Sequence, residues 1–247
     1  MIDIKRPMLL CRFLMLDTAF AGLMTSLGLV ACETLIFLLR DHSPDELFTS
    51  RIEESGFGIV YTAALIIAMA LLAASIAGRW FGSKSEVSLH MLPVNRAWMF
   101  IGWTADGVIM LLMLTAAQHI AVRLAYLIYS AAVDRFIELG YPVYIEPDAV
   151  WYAFRRVGAL SWVLPQSRAE WARYLMLTLG APIVVTRSAL GVLAGDLLLP
   201  ALSAAGFIAS VVLSCGDVPM SGILLSVLVT VWSAVDALKL LRDGDAV

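Results

Sequence analysis

Long apolar segments separated by short polar ones make up most of the chain. Runs with few or no charged residues occupy 17–39, 56–78, 97–117, 197–213 and 220–238. A helix needs about 20 mostly apolar residues to cross a membrane, with a lower limit of about 17. Each run therefore predicts one membrane-spanning helix. The run at 56–78 gives the clearest signal because it contains no charged residue.

The segment 119–137 is harder to interpret because polar residues recur along it at steps of three or four. The stripe formed by His119, Arg123, Tyr126, Ser130 and Asp134 suits a helix lying on the membrane surface. It suits equally a span whose polar side faces other helices. Cytoplasmic loops are enriched in Lys and Arg, and a fourth span at 119–137 would place a whole group of arginines on the side of the basic N-terminus, namely Arg135, Arg155, Arg156, Arg168 and Arg173. We therefore predict that span, preceded by a tight turn at Gln118–His119.

The region 138–196 is polar, rich in arginine and dense in Tyr and Trp, as segments at the membrane interface are. Its apolar part, 174–195, is interrupted by Arg187 and could be a re-entrant or interfacial helix, or a seventh span. We predict the former, because it keeps Lys239 and Arg242 on the cytoplasmic side. Arg187 should then lie near the cytoplasmic interface, its long side chain reaching water.

The expected fold is an all-α, polytopic integral membrane helical bundle, a single domain over 1–247 with six transmembrane helices, or seven if 174–195 spans. Two capping boxes predict short helices outside the spans. Ser43, Pro44 and Glu46 form the first, and Ser167 and Glu170 form the second.

Composition supports a membrane protein and excludes several classes of function. Hydrophobic residues make up 61% of the chain and charged residues 15%, against about 45–50% and 25% in soluble domains. The net charge of −3 argues against nucleic acid as a partner. The first apolar run continues to Leu39, beyond the roughly 7–15 residues of a signal-peptide core. We therefore expect the first span to be retained. The expected membrane is a bacterial inner membrane, and the basic N-terminus is expected to be cytoplasmic.

No motif indicates catalysis or a cofactor. The three cysteines are far apart and include no CxxC pair, so a disulfide framework or metal site is not expected. The chain lacks HExxH, GxSxG and P-loop sequences. We therefore assign no catalytic, cofactor-binding or metal-ligating residue, and an enzyme is the least supported class of function.

A few polar residues at membrane depth are the candidates for functional roles, because such residues are costly in lipid and usually face partners. They are Glu33, Asp106, Arg123, His119 and Arg187. Glu33 and Arg123 would lie roughly 9 and 6 Å below the outer membrane surface, at 1.5 Å per helical residue, which predicts a salt bridge if the two helices are neighbours. Asp106, near mid-span, could pair with Arg187 if 174–195 spans, and could serve assembly or proton transfer. Asp236 is expected to be solvated.

Two functions agree with this pattern. The first is a non-catalytic integral subunit of a larger inner-membrane complex for secretion, conjugation or transport, in contact with lipid and other membrane subunits. The alternative is a permease or channel, alone or as a homo-oligomer, with a polar route past Asp106 and Glu33/Arg123. Carriers often consist of two related halves. The spacing of the apolar runs shows no such repeat, which favours the subunit.

Overall fold

The structure, a computed structural model, describes residues 5–40, 43, 46–81, 96–143, 148–157, 160, 163–193, 195–215 and 219–243. Every regular element within these ranges is a helix, as the sequence predicts. Pro44 of the first capping box and the loop 82–95 lie outside the described residues.

Nine α-helices and one π-helical turn follow one another along the described part of the chain. They are α1 (Lys5–Leu39), α2 (Phe48–Glu54), α3 (Phe57–Phe81), α4 (Arg96–Glu138), α5 (Ala149–Arg156), α6 (Arg168–Leu175), the π turn (Met176–Gly180), α7 (Ala181–Leu193), α8 (Leu198–Ser214) and α9 (Pro219–Asp243).

The predicted turn at Gln118–His119 is wrong, because α4 continues through it as one helix of 43 residues. The predicted spans 97–117 and 119–137 are therefore one element. Turns depend on Gly, Pro, Asn, Asp or Ser, and the sequence around the expected turn, AAQHIAV, contains none of them. At 1.5 Å per residue, α4 is roughly 64 Å long, about twice the 30 Å thickness of a hydrocarbon core.

The segment 174–195 also differs from the prediction, because it belongs to a longer helical stretch. α6, the π turn and α7 follow without interruption from Arg168 to Leu193. Pro182 explains the π turn: proline inside a helix removes one backbone hydrogen bond and clashes with the carbonyl four residues earlier, here that of Thr178. Widening the turn at Met176–Gly180 relieves this conflict.

Five helices in the described ranges have the length and composition to cross a membrane. They are Thr18–Leu39, Phe57–Ala77, Ala97–Glu138, Arg168–Val192 and Met220–Arg242. Leu198–Ser214 is apolar but shorter, at 17 residues. The chain therefore has several helices compatible with an integral membrane location, but they do not match the predicted set.

The two capping boxes have different outcomes. In the second, the Ser167 hydroxyl accepts a hydrogen bond from the Glu170 backbone N–H (3.2 Å), and the Glu170 carboxylate accepts one from the Ser167 N–H (3.1 Å). This box is confirmed. The first is wrong about the start of its helix, because α2 begins at Phe48 with Leu47 as its N-cap.

Contacts divide the chain into two compact units. The first consists of Met1–Gly22, Ile67–Leu112 and Ala172–Val247, and includes α7, α8 and α9. The second consists of Leu23–Ile66 and Met113–Trp171, and includes α2 and α5. The long helices α1, α3 and α4 contribute residues to both. Each unit has its own buried polar groups.

Candidate functional site: buried charged and polar groups

Among the described residues of the first unit, Arg187 is the most deeply buried charge. Its side chain is 1% exposed, so the prediction that it reaches water is wrong. Its guanidinium forms an ion pair with Asp236 on α9, and Nη2 lies 3.5 Å from Oδ2 of Asp196, in the connection between α7 and α8. The expectation that Asp236 is merely solvated is also wrong. These three residues, called the Arg187 cluster below, join three consecutive parts of the chain.

The backbone around Arg187 leaves room for its side chain. A Cβ added to Gly191, one turn later on α7, would lie 2.1 Å from Nη1 of Arg187 and 2.4 Å from Cγ of Pro200. Any larger residue at 191 would therefore displace either the guanidinium or α8. Gly191 thus creates the space into which the Arg187 side chain folds.

Asp196 has a second role at the N-terminus of α8, one residue before the N-cap Leu197. Its Oδ1 accepts hydrogen bonds from the backbone N–H groups of Leu198 (3.2 Å) and Leu199 (3.3 Å). A carboxylate at a helix N-terminus satisfies unpaired N–H groups and interacts favourably with the helix dipole. One side chain therefore both begins α8 and holds it near Arg187.

Asp106 does not join the Arg187 cluster. Among the described residues, the acidic partners of Arg187 are Asp196 and Asp236. Asp106 is buried on α4, 2% exposed. The next residue, Gly107, lies against α7 and α3: a Cβ there would be 2.6 Å from Cβ of Pro182 and 2.7 Å from Cδ2 of Leu72. Asp106 is thus one residue from a point where three helices meet closely.

Small residues bring α8 and α9 together. A Cβ on Gly222 would lie 2.3 Å from the backbone nitrogen of Ser214, so the two backbones touch there. Next to this contact, the buried hydroxyls of Ser210 and Ser226 share a hydrogen bond of 2.6 Å. Small residues and hydroxyl bonds are a common means of joining helices within lipid. The contact between these two helices is therefore formed by polar and small residues.

In the second unit, Glu33 pairs with Gln118 rather than with Arg123. The Gln118 side-chain amide donates a hydrogen bond of 2.8 Å to Oε2 of Glu33, and both residues are fully buried. Arg123 is exposed, and no Glu33–Arg123 ion pair occurs among the described residues. The predicted salt bridge is therefore wrong. Gln118 and Arg123 are five residues apart on a helix of 3.6 residues per turn, and so they point in different directions.

No pattern in the sequence indicated a buried arginine in α2. Arg51 is 1% exposed, and its Nη2 lies 3.3 Å from the Glu46 carboxylate. Its guanidinium also lies over the ring of Phe37, 5.7 Å from the centroid. Phe37 belongs to a cluster of aromatic rings in contact with one another, which consists of Phe37, Phe48, Phe57, Tyr126 and Tyr129. Among the residues that the structure describes, each unit thus buries an arginine beside an acidic residue.

The remaining candidates do not converge on one place. His119 is partly buried and packs against the ring of Phe154 on α5, with centroids 4.6 Å apart. No group of three or more His, Cys, Asp or Glu residues that could hold a metal ion occurs in the described part of the chain. Cys32 and Cys215 are free and exposed.

Neither unit by itself gathers the five predicted candidates into one site. Asp106 and Arg187 belong to the first unit, and Glu33, His119 and Arg123 to the second. What the structure shows instead is a set of separate polar contacts between helices. No protein-family model matches the chain, and no curated protein and no solved structure matches it.

Proposed function

We propose that the protein is a non-catalytic integral subunit of a larger bacterial inner-membrane complex, of the kind used for secretion, conjugation or transport. Six helices would cross the membrane: the five long ones and α8, whose 17 residues meet the lower limit for a span. This set replaces the one predicted from the sequence, since α4 now counts once and Arg168–Val192 is added.

The Arg187 cluster is the observation that carries the proposal. Helices in lipid gain little hydrophobic energy from associating, so polar contacts and small residues contribute much of their attraction. Arg187 was expected to be a functional group. Its guanidinium instead forms ion pairs with two carboxylates on neighbouring segments. Its role is therefore to hold α7, α8 and α9 together as a scaffold.

The outer faces of the helices provide the surface for partners. Large apolar side chains are widely exposed on them, including Ile59 (78%), Leu228 (67%) and Ile208 (62%). In a membrane these faces contact lipid or the apolar helices of other subunits. A scaffold helix that presents such faces can join an assembly without a soluble docking domain.

The first test is to determine what the protein assembles with. The full chain would be solubilised gently through a C-terminal tag, the intact complex weighed, and every chain in it identified. We expect a complex with other membrane proteins at a fixed ratio. A protein found alone, or only with copies of itself, would contradict the proposal and favour the permease alternative. Transport assays on Asp106→Asn would then follow.

A matched pair of variants connects the assembly to the Arg187 cluster. Asp236→Asn removes a partner of Arg187, whereas Lys239→Gln changes an exposed charge on the same helix. We expect the first variant to reduce the yield of the complex and the second to leave it unchanged. Equal yields from both would show that the Arg187 cluster does not support assembly.

A further inference from the structure

The buried pair of Glu33 and Gln118 has an imbalance between hydrogen-bond donors and acceptors. Oε2 of Glu33 accepts the bond from the Gln118 amide. Among the described residues, neither Oε1 of Glu33 nor Oε1 of Gln118 has a hydrogen-bond partner. Two buried oxygen atoms thus lack a donor, although buried polar groups in proteins are nearly always hydrogen-bonded.

An ionised Glu33 would also have no opposite charge close to it among the described residues. No ion pair of Glu33 occurs among the described residues. Of the charged and titratable groups of this unit, Arg51 pairs with Glu46 and His119 packs on Phe154, whereas Arg123 is exposed. Tyr61 on α3 is buried. An ionised carboxylate here would be stabilised by one hydrogen bond from a neutral amide.

Such an ion is unfavourable compared with the neutral acid. Burying an unpaired carboxylate costs far more than burying a neutral hydroxyl, and the group usually takes up a proton instead. A proton on Oε1 also supplies the donor that the pair lacks, while Oε2 stays the carbonyl oxygen that accepts from Gln118. Both the charge and the hydrogen-bond count therefore favour the protonated form.

We propose that Glu33 and Gln118 form a proton-binding site inside the protein, in which Glu33 carries the proton and Gln118 positions its carboxyl group. Glu33 lies six residues before the end of α1 at Leu39, roughly 9 Å along the helix axis. The site is thus buried, yet close to the end of a helix. It goes beyond the scaffold role and does not depend on it.

Infrared spectroscopy of the full chain in lipid vesicles tests the proposal, because a protonated carboxyl group has a carbonyl band separate from those of carboxylates and amides. At neutral pH we expect a protonated-acid band that disappears in Glu33→Gln. The control is Glu54→Gln, since Glu54 is exposed and paired with Arg40; this variant should keep the whole band. Asp106 is a second buried acid, so only the difference between wild type and Glu33→Gln counts.

A second variant covers the case in which Glu33→Gln does not fold. Gln118→Leu keeps Glu33 but removes the hydrogen bond to its carbonyl oxygen, which should move the Glu33 band to higher frequency. If wild type and Glu33→Gln differ only in the carboxylate bands, or if sodium ions change the Glu33 signal at constant pH, then Glu33 is ionised or binds a metal cation. Either result would overturn the proposal.

Discussion

Among single residues, Arg187 shows how strongly the cost of burial depends on partners. A buried ion pair adds little net stability by itself, but removing one partner leaves an uncompensated charge inside the protein. In the Arg187 cluster, Asp236 and Asp196 are partly exposed, with side-chain exposures of 25% and 31%. The carboxylates therefore reach the surface of the protein, but the guanidinium does not.

We expect Asp236→Asn to destabilise the folded protein by about 3 kcal/mol, the lower end of the range for breaking a buried pair, because Asp196 still interacts with Arg187. Unfolding by a denaturing detergent in mixed micelles measures this change. Lys239→Gln, on the exposed side of the same helix, is the control. A double variant with Arg187→Gln should lose less than the sum of the two single changes; simple additivity would show that the two residues are not coupled.

At the scale of helices, the contact between α8 and α9 depends on the absence of a side chain at position 222. Gly222 faces the backbone of Ser214 and the carbonyl oxygen of Ser210, both of which are rigid parts of α8. Adding a methyl group must therefore push the helices apart and break the bond between Ser210 and Ser226. At Gly206, by contrast, an added Cβ would lie 3.5 Å from Cγ2 of Val229, an ordinary contact distance.

We expect Gly222→Ala to lower stability by about 1–3 kcal/mol, the usual cost of overpacking. Gly206→Ala should be neutral or slightly stabilising, because alanine is favoured over glycine within helices. The same detergent unfolding assay compares the two. If Gly222→Ala were as stable as Gly206→Ala, the close contact of α8 with α9 would be disproved.

The unbroken α4 changes the expected topology of the whole molecule. If α1, α3 and α4 each cross the membrane once, the segment that follows α4 lies on the opposite side from the N-terminus. The predicted turn at 118–119 would have put both on the same side. If all six proposed helices cross, the lysines and arginines other than Arg123 and Arg187 divide almost evenly between the two sides. One side would hold Lys5, Arg6, Arg12, Arg79, Lys84, Arg96, Lys239 and Arg242, and the other Arg40, Arg51, Arg135, Arg155, Arg156, Arg168 and Arg173. Neither side therefore carries the excess of Lys and Arg that is typical of a cytoplasmic face.

Membrane-impermeant maleimide labelling distinguishes the two topologies. In a background without native cysteines, Gln166→Cys and a cysteine fused to the N-terminus should be labelled from opposite sides of sealed vesicles. Ile120→Cys, which is exposed on α4 next to the expected turn, should react only after detergent is added, because lipid would cover it. If Ile120→Cys were labelled from the water phase, or the other two cysteines from the same side, the chain would turn at 118–119 as the sequence predicted.

The sequence predicted the elements better than the contacts. Apolar runs indicated helices at 56–78, 197–213 and 220–238, which correspond closely to α3, α8 and α9. The capping box at Ser167 could also be predicted from the sequence, because both of its partners lie within one helical turn. Glu33 was identified as a residue needing a partner, but its partner was not, because Glu33 and Gln118 are 85 positions apart.

Local chemistry is enough to predict, from the sequence, a chain rich in apolar helices that are compatible with a membrane and a short set of polar residues that need partners inside it. How these helices join, and which polar partners meet, follows only from the three-dimensional packing. Arg187 could have met Asp106 or water. It meets Asp196 and Asp236 because Gly191 leaves room for its side chain and Asp196, at the start of α8, lies beside it. Apolar periodicity reports which residues avoid water, but the choice among several polar partners depends on packing between distant segments.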